Sequence, residues 1–300
     1  PIGEINLNGK INGNILNYKE LSIYSEFESS GMNLVYGEKK IKLEDINFNG
    51  NFKKEPNRKE IVVFNKLDFS IIETRVRTAI KIENFNEPFL DTQFNLQGEL
   101  NDISQLATLD SIESVKGKIN LKGSFKGTLE KIKTDFLKTA PELIARLEDA
   151  SIKIKGIPSE INIKKAEIQL TDNTFNVKEF EISSEENTIS INGKTDNFNN
   201  WLEKNTKKEF NVTITGKEIV WDKISKLFPE NKTSNSKEDS ENLIDDRLLI
   251  KINLSLDNLV VQRINFDRLK GNIEIKKGKI LCEDMSFKQS DGEIRLKCLI

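Results

Sequence analysis

The 300-residue chain has no histidine, which removes the commonest general base, the usual catalytic triads and the commonest metal ligand together. No glycine-rich phosphate loop, P-loop lysine or nucleophile elbow is present either. Acidic pairs do occur, at Asp245 and Asp246 and at Glu283 and Asp284. They fall at expected loops or strand ends, where solvated surface is the plain reading. The expectation is a protein that is not an enzyme, with no catalytic residue, no cofactor and no metal. The chain also lacks an apolar run of about 18 residues, the length that crosses a bilayer as a helix, and no signal peptide opens it. Its first residue is Pro1, and Leu299 and Ile300 at the other end sit inside an alternating run. This predicts a piece of a longer protein whose anchor or targeting segment lies elsewhere. Basic residues form no stripe. With 31% of residues charged, a net charge of -2 and signs interspersed, the chain has no electrostatic footprint for nucleic acid.

Cysteine is scarce too. Cys282 and Cys298 stand sixteen positions apart in strand-like runs, where they fit as small inward hydrophobes; a disulfide across neighbouring strands is the alternative.

What the chain has in quantity is alternation. In VKGKINLKGSFKGTL, residues 115–129, odd positions are apolar or glycine and even positions are Lys, Asn, Ser or Thr. A period of two makes one face of a sheet oily and the other wet. The pattern returns in EINLNGKINGNI (4–15), TQFNLQGEL (92–100), TISINGKTDNF (188–198), FNVTITGKEI (210–219) and GEIRLKCLI (292–300), with further runs between. Several end in a glycine that fits a bulge, a corner or a strand exit. Turn residues at short spacing, as in TDNT (171–174) and SSEENT (183–188), join the runs, and short loops between alternating strands mean antiparallel neighbours.

Helical signals are short. Residues 101–110, 197–205 and 218–228 each follow a strand and place apolar residues three or four apart. The longest helical stretch, 129–149, has Pro141 positioned to open a second helix. Its stripe of Ile132, Phe136, Leu143, Ile144 and Leu147 suits a helix on a sheet edge or over one end. Residues 229–247, PENKTSNSKEDSENLIDDR, are polar and acidic on balance, which predicts a flexible loop or linker. The organisation expected is a β-rich region over 1–228, this linker over 229–247, and continuing strands of the same sheet over 248–300.

Each buried Ile or Leu side chain contributes about 1.5 to 3 kcal/mol, so such faces do not stay bare in water. Helices are too few to cover them. Two sheets face to face, a closed barrel, or a curled sheet whose trough is covered by something else remain. The fixed rung of about 20 to 25 residues that a parallel β-helix needs is absent.

The recurring strand, glycine and short helical turn in FNLQGELNDISQLATL, followed by VKGKINLKGSFKGTLEKI and by DRLKGNIEIKKGKILCEDMSFKQSDGEIRLKC, resembles the AsmA family of Gram-negative envelope proteins. The closing stretch is the most similar, an L-x-G-x-I-x-I strand followed by G-x-I and a G-E-I-x-L strand. The resemblance covers most of residues 90–300 and only loosely 1–89. It implies a mainly β protein, a long antiparallel meander forming a curled, elongated sheet with an apolar inner face and a few short helices. It implies further an inner-membrane anchor absent from this chain, a periplasmic location, outer-membrane assembly proteins as partners, and a trough that takes phospholipid acyl chains toward the outer membrane.

Residues placed to line such a trough are Ile119, Leu121, Phe125, Ile152, Ile154, Ile161, Ile163, Ile168, Leu170, Ile189, Ile191, Ile250, Ile252, Leu254, Leu256, Ile273, Ile275, Ile294 and Leu296. The same side chains would alternate identically if they packed on one another as a dry core. Two classes therefore stand, a lipid-handling envelope protein and a structural or adhesive β-protein that binds other proteins.

Overall fold

The computed structural model describes the chain apart from residues 1, 15, 37–40, 107–111, 140, 156–159, 172, 185–186, 204, 222–246, 277–278, 290–291 and 300. The expected linker, but for its last residue, lies outside the described residues.

Strands dominate, as the alternation requires, and they follow one another as neighbours in chain order within a single sheet of sixteen. The chain groups into two compact units. Unit 1 comprises Pro1–Ala107 and Ile119–Ala145, and unit 2 comprises Thr108–Lys118 and Arg146–Ile300.

Unit 1 holds β1 (Ile2–Asn12), β2 (Ser22–Tyr36), β3 (Ile41–Lys54), β4 (Ile61–Ile71), β5 (Thr74–Glu83), β6 (Phe89–Glu99) and the short helix α1 (Leu100–Leu106). It also holds most of β7 (Ile112–Thr128), all of α2 (Leu129–Thr134) and the start of β8 (Glu142–Ile154). Every registered pair from β1 to β6 is antiparallel. The turn between β4 and β5 places Ile72 at φ 58, a conformation that a β-branched side chain rarely adopts. Asp102 in α1 holds it there. The buried carboxylate accepts from the Glu73 backbone N–H at 3.1 Å and from the Thr74 hydroxyl at 2.9 Å.

Unit 2 holds the rest of β7 and β8, then β9 (Ile161–Thr171), β10 (Thr174–Ser184), β11 (Asn187–Thr195), the single-turn helix α2's successor α3 (Asn199–Leu202), β12 (Lys208–Val220), β13 (Leu248–Val261), β14 (Ile264–Lys276), β15 (Lys279–Gln289) and β16 (Gly292–Leu299). Pairing is antiparallel from β9 to β12 and from β13 to β16. Between β12 and β13 it is parallel, with Lys208 opposite Leu248 and Val220 opposite Val260. At this one joint the sheet departs from the antiparallel meander expected, which the other registered pairs follow. The physical reason is length, since parallel neighbours need a crossover of a dozen residues or more, and residues 221–247 supply it.

Strict alternation would be thrown out of phase by any irregularity, yet the apolar face persists through several. The device is a β-bulge at a doubled polar residue. Glu44–Asp45, Glu148–Asp149, Lys178–Glu179, Asp267–Arg268 and Glu283–Asp284 each interrupt a strand, and the second member has a positive φ near 50° (45: 50°, 149: 47°, 179: 51°, 268: 53°, 284: 50°). Two polar residues in succession thus leave the next apolar residue on the original face. Asparagines from the neighbouring strand cap some of the freed amides. Asn33 Oδ1 accepts from the Asp45 N–H at 3.1 Å, and Asn192 Oδ1 from the Glu179 N–H at 3.0 Å. Glu283 and Asp284 therefore lie inside β15, not at the loop or strand end expected.

Two further expectations change. Residues 142–149 are strand, so Pro141 precedes β8 rather than opening a helix; pairing in the sheet overrides the helical spacing. Of the proposed stripe, Ile132 and Phe136 lie in helical turns, whereas Leu143, Ile144 and Leu147 are half-buried in β8. The Leu129 N–H donates to Pro88 O at 2.8 Å, tying α2 to the turn between β5 and β6. Residues 218–220 end β12, and 222–228 lie outside the described residues. Several glycines sit in mid-strand beneath rings, not at corners. A Cβ on Gly50 or Gly193 would meet the ring of Phe27 or Phe210 at 2.7 Å.

Candidate functional site

In unit 2 the register assembles the apolar residues into rows that run across the strands. One row passes from Ile168 through Val177, Gly193, Val212, Ile252 and Ile273 to Cys282 and Cys298. A second joins Phe180, Ile191, Ile214, Leu254 and Gly271. A third joins Ile163, Ile182, Ile189, Gly216, Leu256 and Leu269. Ile250 and Ile275 face each other beside them. Because facing residues in paired strands share a side of the sheet, these rows form one continuous aliphatic face within the unit.

Coverage of that face is uneven. Ile163, Leu170 and Leu256 are buried, Ile161, Ile168, Ile189, Ile191, Ile250, Ile252, Leu254, Ile273 and Ile275 are half-buried, and Ile294 and Leu296 on β16 are exposed; on β8, outside these rows, Ile152 and Ile154 are half-buried too. The best-covered part is a cluster of Ile219, Leu256, Leu269 and Phe287, flanked by Ile189, Leu254, Leu259, Phe266 and Met285. Among the described residues, all strands belong to one sheet, so no second sheet covers the half-buried rows.

The remaining sequence-predicted positions, Ile119, Leu121 and Phe125, are half-buried on β7 in unit 1. Phe125 makes ring contacts with Phe94 at 6.2 Å and with Phe136 at 5.4 Å.

Sequence reasoning missed the other side of the sheet. In unit 2 a groove of about 580 Å³ is lined by Asn176, Asn192, Asn211, Asn253, Asn272 and Lys251, among others. Asn253 donates to Asn272 Oδ1 at 3.0 Å, and Lys251 Nζ lies 2.7 Å from Glu209. Asparagine at the alternate position of successive strands was the signal, visible in FNVTI and IKINLSL. The Lys251 ammonium holds the Glu209 carboxyl below its ordinary range, chiefly by hydrogen bonding.

No group of three or more metal-capable side chains gathers among the described residues. No described helix is long and apolar enough to cross a membrane, which bears only on helices. Compared with known proteins, the chain matches no family model, no curated protein and no solved structure.

Proposed function

We propose that this is a non-enzymatic envelope protein of the AsmA type whose apolar sheet face takes phospholipid acyl chains. On this reading it works in the periplasm, held to the inner membrane by an anchor outside this chain, in phospholipid transport or in outer-membrane assembly and homeostasis. The observation that supports it is the half-covered aliphatic face of unit 2. Rows of Ile, Val and Leu remain partly open in water, and acyl chains would remove that apolar area from solvent at about 25 cal/mol per Å². The Ile, Val and Leu side chains of these rows offer dispersion and no reactive group, so a lipid lying on them would be bound without being changed.

Native mass spectrometry with lipid extraction, on protein purified from a bacterial host, tests this. Phospholipid should accompany the protein in a stable ratio, and Ile252→Asp or Ile191→Asp should reduce it while circular dichroism stays unchanged. A clean unliganded mass, unaltered after incubation with phospholipid vesicles, overturns the proposal.

A second reading draws on two other observations, the buried cluster around Leu256 and the asparagine-lined groove. It is a structural or adhesive β-protein, dry on its apolar side, that meets protein partners through its polar side. Its signature is unfolding by the same two substitutions, because a charge would then enter a packed interior.

A further inference from the structure

Cys282 and Cys298 are direct cross-strand partners in the register of β15 and β16. Both are free thiols, Cys282 half-buried and Cys298 exposed. Facing residues of an antiparallel pair have Cα atoms about 4.5 or 5.5 Å apart, according to their hydrogen-bonding position. Both values lie inside the window of about 4.4 to 6.8 Å that a disulfide accepts. The side chains share a face, because both end the row that runs through Ile252 and Ile273. Lys297, next to Cys298, points to the other side, where it meets Glu283 at 3.2 Å.

We propose that Cys282 and Cys298 form a reversible redox pair, whose disulfide fastens β16 to β15. The co-reactant is an external disulfide, either a small molecule of the glutathione class or a thiol–disulfide oxidoreductase. The exposed Cys298 thiolate attacks one sulfur of that disulfide, forms a mixed disulfide and releases the first thiolate, which takes up a proton. Cys282, having given its proton to solvent, then attacks the Cys298 sulfur and expels the second thiolate. Two cysteines lose two electrons in total, and the external disulfide is reduced to two thiols. Its hydrogen bond to Cys298, and then its partial burial, hold the Cys282 thiol above its ordinary range. Closure therefore accelerates with rising pH across the neutral range as the thiolate fraction grows.

The strand that gains most is β16, in which every residue from 292 to 299 is exposed. A disulfide of this span constrains opening by a factor of roughly 100 on the chain-entropy scale. The pair stands apart from the lipid reading, because it depends on register alone and lipid retention depends on the aliphatic rows.

The test is to equilibrate the native chain with oxidised or reduced glutathione, block free thiols with an alkylating agent, and read intact mass and β16 amide exchange. Under oxidation the monomer should lose two hydrogens, resist alkylation at both cysteines and exchange its β16 amides about 100-fold more slowly than the reduced form. The double variant Cys298→Ser with Lys297→Cys moves the thiol to the opposite face, and it should not close. Alkylation of both cysteines after oxidation, a persistent glutathione adduct, disulfide-linked dimers alone, or equal closure in the double variant would overturn the proposal.

Discussion

Units 1 and 2 are built from the same alternating pattern and fill their apolar faces differently. In unit 1 the central row runs Leu7, Phe27, Gly50, Phe64, Ile80 and Thr92, and the next runs Ile5, Ser29, Phe48, Leu67, Thr78 and Phe94. Rings meet in mid-face, with Phe27, Phe48 and Phe64 mutually in contact at 5.1 to 6.0 Å. Serine and threonine hydroxyls break the rows. In unit 2 the rows are mostly aliphatic, with Phe180 in the second, and the ring contacts gather at Phe175, Phe198, Trp201 and Phe210 and at Phe266 and Phe287. One pattern of alternation thus yields a face crowded with rings in unit 1, where Phe27, Phe48 and Phe64 are half-buried and Ile5 and Leu7 exposed, and a smoother face in unit 2 that another apolar body could lie along. Period alone does not distinguish them, whereas the identity of the residue on each row does.

The strongest way to break this comparison is to charge two positions of unit 2 that differ only in cover. Leu256→Asp, in the buried cluster, should destabilise the unit by about 4 kcal/mol or more and abolish its urea transition. Ile252→Asp, in a half-covered row, should keep that transition and lose phospholipid; if both variants unfold alike, the unit is a dry core. Phe64→Ala should cost about 2 to 4 kcal/mol in unit 1, by opening the ring contacts, and leave phospholipid retention unchanged. Next comes Asn187→Ala, because buried Asn187 Oδ1 accepts from the Val220 N–H at 2.6 Å and links β11 to the end of β12. Its loss should cost about 1 to 3 kcal/mol by denaturant titration.

A smaller effect of opposite sign is expected at Thr92. Its buried Oγ1 has no hydrogen-bond partner among the described residues, so Thr92→Val should stabilise unit 1 by about 1 kcal/mol. The smallest belongs to Glu209, more than a third exposed and therefore screened by water. Its folded pKa is depressed by Lys251. The stabilisation is complete above the unfolded glutamate value, near about 4.3, and disappears as pH falls through the lower folded value. Glu209→Gln should therefore lower the thermal midpoint slightly at neutral pH and match the native chain in strong acid.

Strand positions and faces were legible because apolar residues recur at period two, as in residues 115–129 and 248–256. The bulges were legible in principle too. Val177 and Phe180, or Cys282 and Met285, enclose two polar residues where alternation allows one, and that doubled pair is the mark of a phase reset. Residues 142–149 misled because Leu143, Ile144 and Leu147 fit a helical stripe, and only pairing across the sheet decides for strand. The parallel joint was invisible, since Phe210–Ile214 and Ile250–Leu254 alternate identically whichever way they run. Cover was equally hidden. Leu256 and Ile252 stand four positions apart in one strand, yet one is buried and the other half-buried.

That parallel joint also sets the tempo at which unit 2 can assemble. The hairpins from β13 to β16 can nucleate at a short turn and zip outward, one ladder bond after another. At β12 and β13 every partner is forty positions away, from Lys208 and Leu248 to Val220 and Val260, so no turn seeds the ladder. Its first bond must follow closure of a long loop, an entropic cost that precedes any reward from the contact. The block from β13 to β16 is therefore positioned to form early and dock late, with the Val212 and Ile252 seam as the slow step.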